Sequence, residues 1–212
     1  MSLLKKVLDF IFPEPVDDLG PVSETVNTSE HVDMGTISIP ETSYYEEDNF
    51  PQALAMVLRF EGGYVNDPDD AGGETNKGII KKVYDKYRKS KKLPVQSVKK
   101  ISHEEVEDIY KENYWLKAKC DKLPKAVALI HFDATVNCGV RQANKFLQRS
   151  VNAKADGVVG PKTLENVKKL QPKDIVRMYL EKRVDFYINL VVKNNSQIKF
   201  LKGWIRRALT FA

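Results

Sequence analysis

Glu61-Gly-Gly-Tyr-Val-Asn-Asp-Pro-Asp-Asp-Ala-Gly-Gly-Glu-Thr-Asn-Lys-Gly-Ile79 is the stretch whose reading decides the fold. It opens with an acid at the end of an apolar run, Phe50 to Phe60, which reads as a short amphipathic helix. Leu54, Val57 and Leu58 are spaced to share its buried face. Gly62 and Gly63 suit a left-handed turn that closes such a helix. Glu61 then stands at the negative end of the helix dipole, between Phe60 and Tyr64. Dipole and apolar neighbours both disfavour its ionised form, as a general acid working near neutral pH requires. Asn66 to Asp70 and Gly72-Gly73 are turn-forming, and Thr75 opens a returning strand. A hairpin folded beside the helix end brings a second carboxylate towards the first, the arrangement that cleaves glycosidic bonds.

The same string resembles the signature of glycoside hydrolase family 108, peptidoglycan muramidases of bacteria and phages. The resemblance continues through Tyr114-Trp115, Asp133 to Gly139, Asp156 to Pro161 and Gly203-Trp204, about residues 50–208. It implies a mainly α (α+β), lysozyme-like fold: helical, with a small β-hairpin carrying part of the active site. It also implies Glu61 as the catalytic acid. Glu61, Asp70 and Thr75 are similar in spacing to the Glu, Asp and Thr of phage-type lysozymes, and Asp67 and Asp69 stay open as the second carboxylate. Ala71 departs from the pattern, standing where many relatives are expected to have proline. Tyr64, Tyr114, Trp115 and Asn137 are the substrate-facing candidates, although Tyr114 and Trp115 read first as core residues.

Charge divides the chain. Residues 1–50 hold 2 basic and 11 acidic residues, a balance of −9, which leaves 32 basic and 18 acidic residues, or +14, for residues 51–212. The basic part is suited to an anionic partner, such as a bacterial envelope. No nucleic-acid recognition motif accompanies it, so no specific nucleic acid is expected.

Three segments follow. Residues 1–48 are an amphipathic helix plus an acidic, Pro-containing linker; 49–140 are the lysozyme-like catalytic domain; 141–212 are a helical region packed on it. Leu147-Gln148 with Asp156 to Thr163 resembles small peptidoglycan-binding modules. Residues 1–12 carry Leu3, Leu4, Val7, Leu8, Ile11 and Phe12 near one face, which suits a membrane surface, a virion protein or the chain's own basic domain. Lys5, Lys6 and Asp9 interrupt that run and no small-residue cleavage site follows, so it does not read as a signal peptide. A protein made in the cytoplasm without a cleavable signal, acting in the periplasm or cell wall and carried in a phage virion, is the expectation.

Several helices announce their own limits. Ser102-His-Glu-Glu105 is a capping box opening a helix to about Trp115. Pro124 precedes an apolar helix ending near Gly139, and Pro161 and Pro172 start two more, the second running to about Lys193. Ile79 to Lys92 reads as a lysine-rich helix, and Ser196 as the cap of a last helix whose apolar face is Phe200, Leu201, Trp204, Ile205 and Leu209. Within the Pro124 helix, His131 reads as a hydrogen-bonded core residue and Asp133 as a carboxylate that needs partners if buried. Cys120 and Cys138 give no disulfide framework. Asp67, Asp69 and Asp70 fail the calcium-loop spacing, because Ala71 takes a ligand position and Gly78 stands where the bidentate Glu belongs. No metal and no cofactor is expected.

Three functions are therefore weighed: hydrolysis of the muramic acid β-1,4 bond of peptidoglycan, with lytic transglycosylation as its variant; a non-catalytic wall-binding or virion structural protein; and a nucleic-acid-binding protein. The retained acid, hairpin and threonine favour the first.

Overall fold

The computed structural model describes residues 48–66 and 73–211. The expected helix of residues 1–12, its linker to residue 47, and Asp67, Asp69 and Asp70 lie outside the described residues. Helix α1 is Phe50–Leu58, started by Pro51, whose missing N–H costs nothing in a first turn. It buries Phe50, Ala53, Leu54 and Val57 at the i, i+3, i+4, i+7 spacing, while Leu58, expected on that face, is half exposed. The Phe50 ring packs edge-on against Trp115 and Phe132, at 5.6 and 5.8 Å between centroids.

The end of α1 corrects the sequence reading. Arg59 and Phe60 donate their N–H groups back to Met56 and Val57, and neither Gly62 nor Gly63 takes a positive φ. The helix closes by tightening its last turn, because the chain beyond it is claimed by the hairpin. Lys77 N donates to the Gly62 carbonyl at 3.0 Å, and Val65 and Thr75 exchange two backbone hydrogen bonds of 2.8 Å.

Strands β1, Thr75–Asn76, and β2, Ile79–Ile80, pair antiparallel with Thr75 opposite Ile80 and Asn76 opposite Ile79. Two residues join them, Lys77 at φ 49° and Gly78 at φ 73°, the two positive angles of a type I′ turn. Thr75 begins a strand as expected, but Ile79 and Ile80 do not belong to the lysine-rich helix. That helix, α2, is Lys81–Ser90, with Tyr84 as its buried anchor. A 3-10 turn at Val98–Lys100 leads to helix α3, His103–Tyr110. Its capping box is complete: Glu105 N donates to Ser102 Oγ, and Ser102 N donates to Glu105 Oε2. The helix continues as a π-helical turn, Lys111–Trp115.

Helix α4, Lys125–Cys138, is the centre of the molecule and is buried on nearly every side from Val127 to Thr135. Gly139, at φ 84°, both ends it and opens α5, Val140–Ser150. Beyond the Asp156-Gly157 turn come α6, Pro161–Lys168, α7, Pro172–Lys193, and α8, Ile198–Thr210. Helices α1, α5, α7 and α8 and the π turn all pack on α4. The described residues belong to one compact unit that runs through residue 140 without a break.

Two details of the last helices differ from the sequence reading. Ser196 does not cap the last helix: Asn194 caps the 3-10 turn Asn195–Gln197 before it, accepting from both Ser196 N and Ser196 Oγ, and α8 itself starts from Gln197 without a side-chain cap. Helix α8 turns Trp204, Arg207 and Ala208 inward and leaves Phe200 exposed, with Trp204 stacked between Phe200 and Tyr187. Its inward face accommodates a guanidinium because two carboxylates lie there.

Candidate active site

Glu61 sits three residues past the end of α1, with its side chain 17% exposed. Arg207 Nη2, from α8, donates to Glu61 Oε1 at 2.9 Å. Arg207 Nε donates in turn to Asp133 Oδ1 on α4 at 2.7 Å. The other oxygen of Asp133 accepts from Arg183 Nη2 on α7 at 2.5 Å. Asp133 and Arg183 are fully buried. The chain ends in polar side chains: Arg183 Nε donates to the Tyr187 hydroxyl at 2.8 Å, and that hydroxyl donates to Asn137 Oδ1 at 2.6 Å.

Signs alternate along this line, acid, base, acid, base, so no buried charge is left unpaired. For both guanidiniums burial alone works against the charge. Asp133 offsets it, and both are held above their ordinary range. The Phe60 ring adds a face 5.2 Å from the Arg207 guanidinium carbon. Glu61 thus has a cationic partner that the sequence reading did not include.

Two tyrosines and a glycine complete the surroundings. Tyr110 donates its hydroxyl to the Lys77 carbonyl at 2.8 Å, which fastens the hairpin turn to α3. Its phenol is pushed well above the ordinary range by burial first and by the Glu61 charge second. The half-buried Tyr114 is shifted upward by the same two causes, and its ring lies 5.4 Å from that of Tyr110. Both keep their protons at neutral pH and remain hydrogen-bond donors. Gly78 is the third element: a Cβ there would lie 2.6 Å from Glu61 Oε2 and 2.7 Å from the Tyr110 hydroxyl. Only glycine lets the turn approach the carboxylate so closely.

The other sequence candidates are placed as follows. Thr75 is half-buried in β1, tied by its backbone to Val65. Asp70, five positions before it in the sequence, lies outside the described residues. Tyr64 is 38% exposed at the hairpin's edge, with the Lys99 ammonium 5.4 Å from its ring. Asn137 is half-buried at the end of the charged line. Trp115 is 3% exposed, its indole packed between Phe50 and Phe132, so a sugar has no face of it to meet. His131 is a core residue: Nε2 donates to the Ala118 carbonyl, and Nδ1 lies 2.9 Å from the Tyr179 hydroxyl.

Arg207, Arg183, Tyr110 and Gly78 were missed in the sequence. A signal existed for the arginines. Trp204, Arg207, Ala208 and Phe211 keep the i, i+3, i+4, i+7 register, and Arg183 lies midway between Tyr179 and Tyr187 on the stripe of α7. An open cleft of about 760 Å³ is lined by Asn66, Gly73, the acids Glu74 and Asp85, and Lys81, Lys82, Lys86 and Lys89.

Residues 54–139 match the family model described as Glycosyl hydrolase 108, and residues 142–209 match that of a Predicted Peptidoglycan domain. No curated protein matches the chain. Among solved structures the chain is similar to SagA of Brucella abortus, with 32% sequence identity and a TM-score of 0.58. That match covers 76% of this chain and 94% of the other.

Proposed function

This chain belongs to glycoside hydrolase family 108, and from that premise we propose that it hydrolyses the β-1,4 bond after N-acetylmuramic acid in peptidoglycan. Taken together, the two matched regions support a glycosidase acting on peptidoglycan. The observation that carries the finer reading is the placement of Glu61. It is a partly exposed carboxylate at the hairpin turn, with a guanidinium on one oxygen and two protonated phenols beside it.

In this reading Glu61 protonates the leaving glycosidic oxygen as the bond breaks. Asp70, helped by Thr75, holds a water on the opposite sugar face, so that single displacement follows. Tyr114 and Tyr64 offer aromatic faces and hydroxyls to the glycan, and Asn137 orients the buried network rather than the sugar. The lysine-lined cleft suits the carboxylates of the peptide stems. The site of action is the periplasm or cell wall, and phage-encoded lysis or penetration is the setting. Among the described residues no helix is long and apolar enough to cross a membrane.

The test is digestion of purified peptidoglycan with mass analysis of the products. Reducing muramic acid ends are expected. Anhydro-muramic ends would make the enzyme a lytic transglycosylase, and an absence of released glycan would leave only a wall-binding protein.

A further inference from the structure

We infer that Arg207 is a positioning residue for the acid Glu61, which makes the region matched as a peptidoglycan domain part of the catalytic machinery. This rests on the proposed role of Glu61. The two matched regions meet between residues 139 and 142, so Glu61 and Arg207 fall in different ones, 146 positions apart. The structure joins them twice. Arg207 grips Glu61 Oε1, and Phe211, a turn further on, packs its ring 5.8 Å from that of Phe60. Helix α8 therefore holds both the acid and the residue before it.

Arg207 is itself held. Its Nε is fixed by Asp133, which Arg183 fixes from the far side, and all three groups are buried or nearly so. A planar fork with one arm on Asp133 and another on Glu61 sets the direction of the Glu61 carboxylate. Oε2 is left facing the Gly78 turn. The groups facing Glu61 are thus Arg207 from α8, with Asp133 of α4 behind it, and Tyr110 and Tyr114 from α3 and the π turn. The guanidinium is the positive charge among them. Arg207 therefore orients the acid through its fork.

The test compares the full chain with Arg207→Met and Arg207→Lys on purified peptidoglycan, with kcat and KM measured separately and a thermal melt of each. Arg207→Met removes the cation and the fork. Its kcat is expected to fall on the order of 10²-fold with KM little changed, since the acid loses its aim. Arg207→Lys keeps the charge without the fork, so its kcat should fall as well, again with KM little changed. Should Arg207→Met melt below the assay temperature, the lysine variant decides, and a folded Arg207→Lys with wild-type kcat overturns the inference. So does a folded Arg207→Met with wild-type kcat, or one whose loss lies in KM alone. A wild-type chain that releases no glycan contradicts the reading of Glu61 itself, a separate failure.

Discussion

Gly78 shows how much of the site depends on single positions. At φ 73° it both supplies the second positive angle of the hairpin turn and leaves room for Glu61 Oε2 and the Tyr110 hydroxyl. Gly78→Ala forces a Cβ within 2.6 Å of that oxygen and places a side chain in left-handed backbone. We expect turnover on purified peptidoglycan to fall on the order of 10²-fold. The melting temperature should drop by an amount matching roughly 1–2 kcal/mol. Wild-type turnover in this variant would show that the turn does not constrain the acid. Asp133 is the second such position, and its demand for partners was readable from the sequence because a carboxylate sits among Phe132, Ala134 and Val136. Which partners it takes was not readable. They come from residues 50 and 74 positions away, and no local pattern ties those arginines to it.

Elements whose signals are local were legible, and those defined by distant contacts were not. Ser102 and Glu105 cap α3 through contacts three residues apart, and Pro161 and Pro172 each occupy a first turn, as expected of a residue without an N–H. The end of α1 went the other way. Gly62 and Gly63 carry a local signal for a left-handed stop, yet backbone pairing of Gly62 with Lys77 and of Val65 with Thr75 outweighs it. The same pairing makes Ile79 and Ile80 a strand where their spacing fits a helix. Helix α4 supplies a prediction at this scale through His131, whose imidazole burial holds down to about 4. An unfolded histidine titrates near 6.5, so the unfolded chain takes up the proton first as pH falls. The stability this group contributes is full above about pH 6.5 and is lost between there and about pH 4, up to about 3 kcal/mol. Urea unfolding over that range should show a steeper loss in wild type than in His131→Gln; equal slopes would mean the imidazole is not buried and neutral.

At the scale of the whole molecule, two regions that match separate family models share one core and one charged network. The sequence divides at residue 140 because α4 ends at a glycine and a new helical pattern begins. The fold does not divide there, because α5, α7 and α8 return to cover α4. Glu61 is therefore supported by elements from both ends of the described chain, and its role is the central claim. The most direct measurement is the turnover of Glu61→Gln on purified peptidoglycan beside wild type, with thermal melts of both. The amide retains an oxygen for Arg207 but has no proton to give a leaving group. The account predicts a melting temperature close to wild type and a loss of turnover by orders of magnitude. A folded Glu61→Gln that keeps more than about a tenth of wild-type turnover would contradict it, since removing an essential general acid costs far more than that.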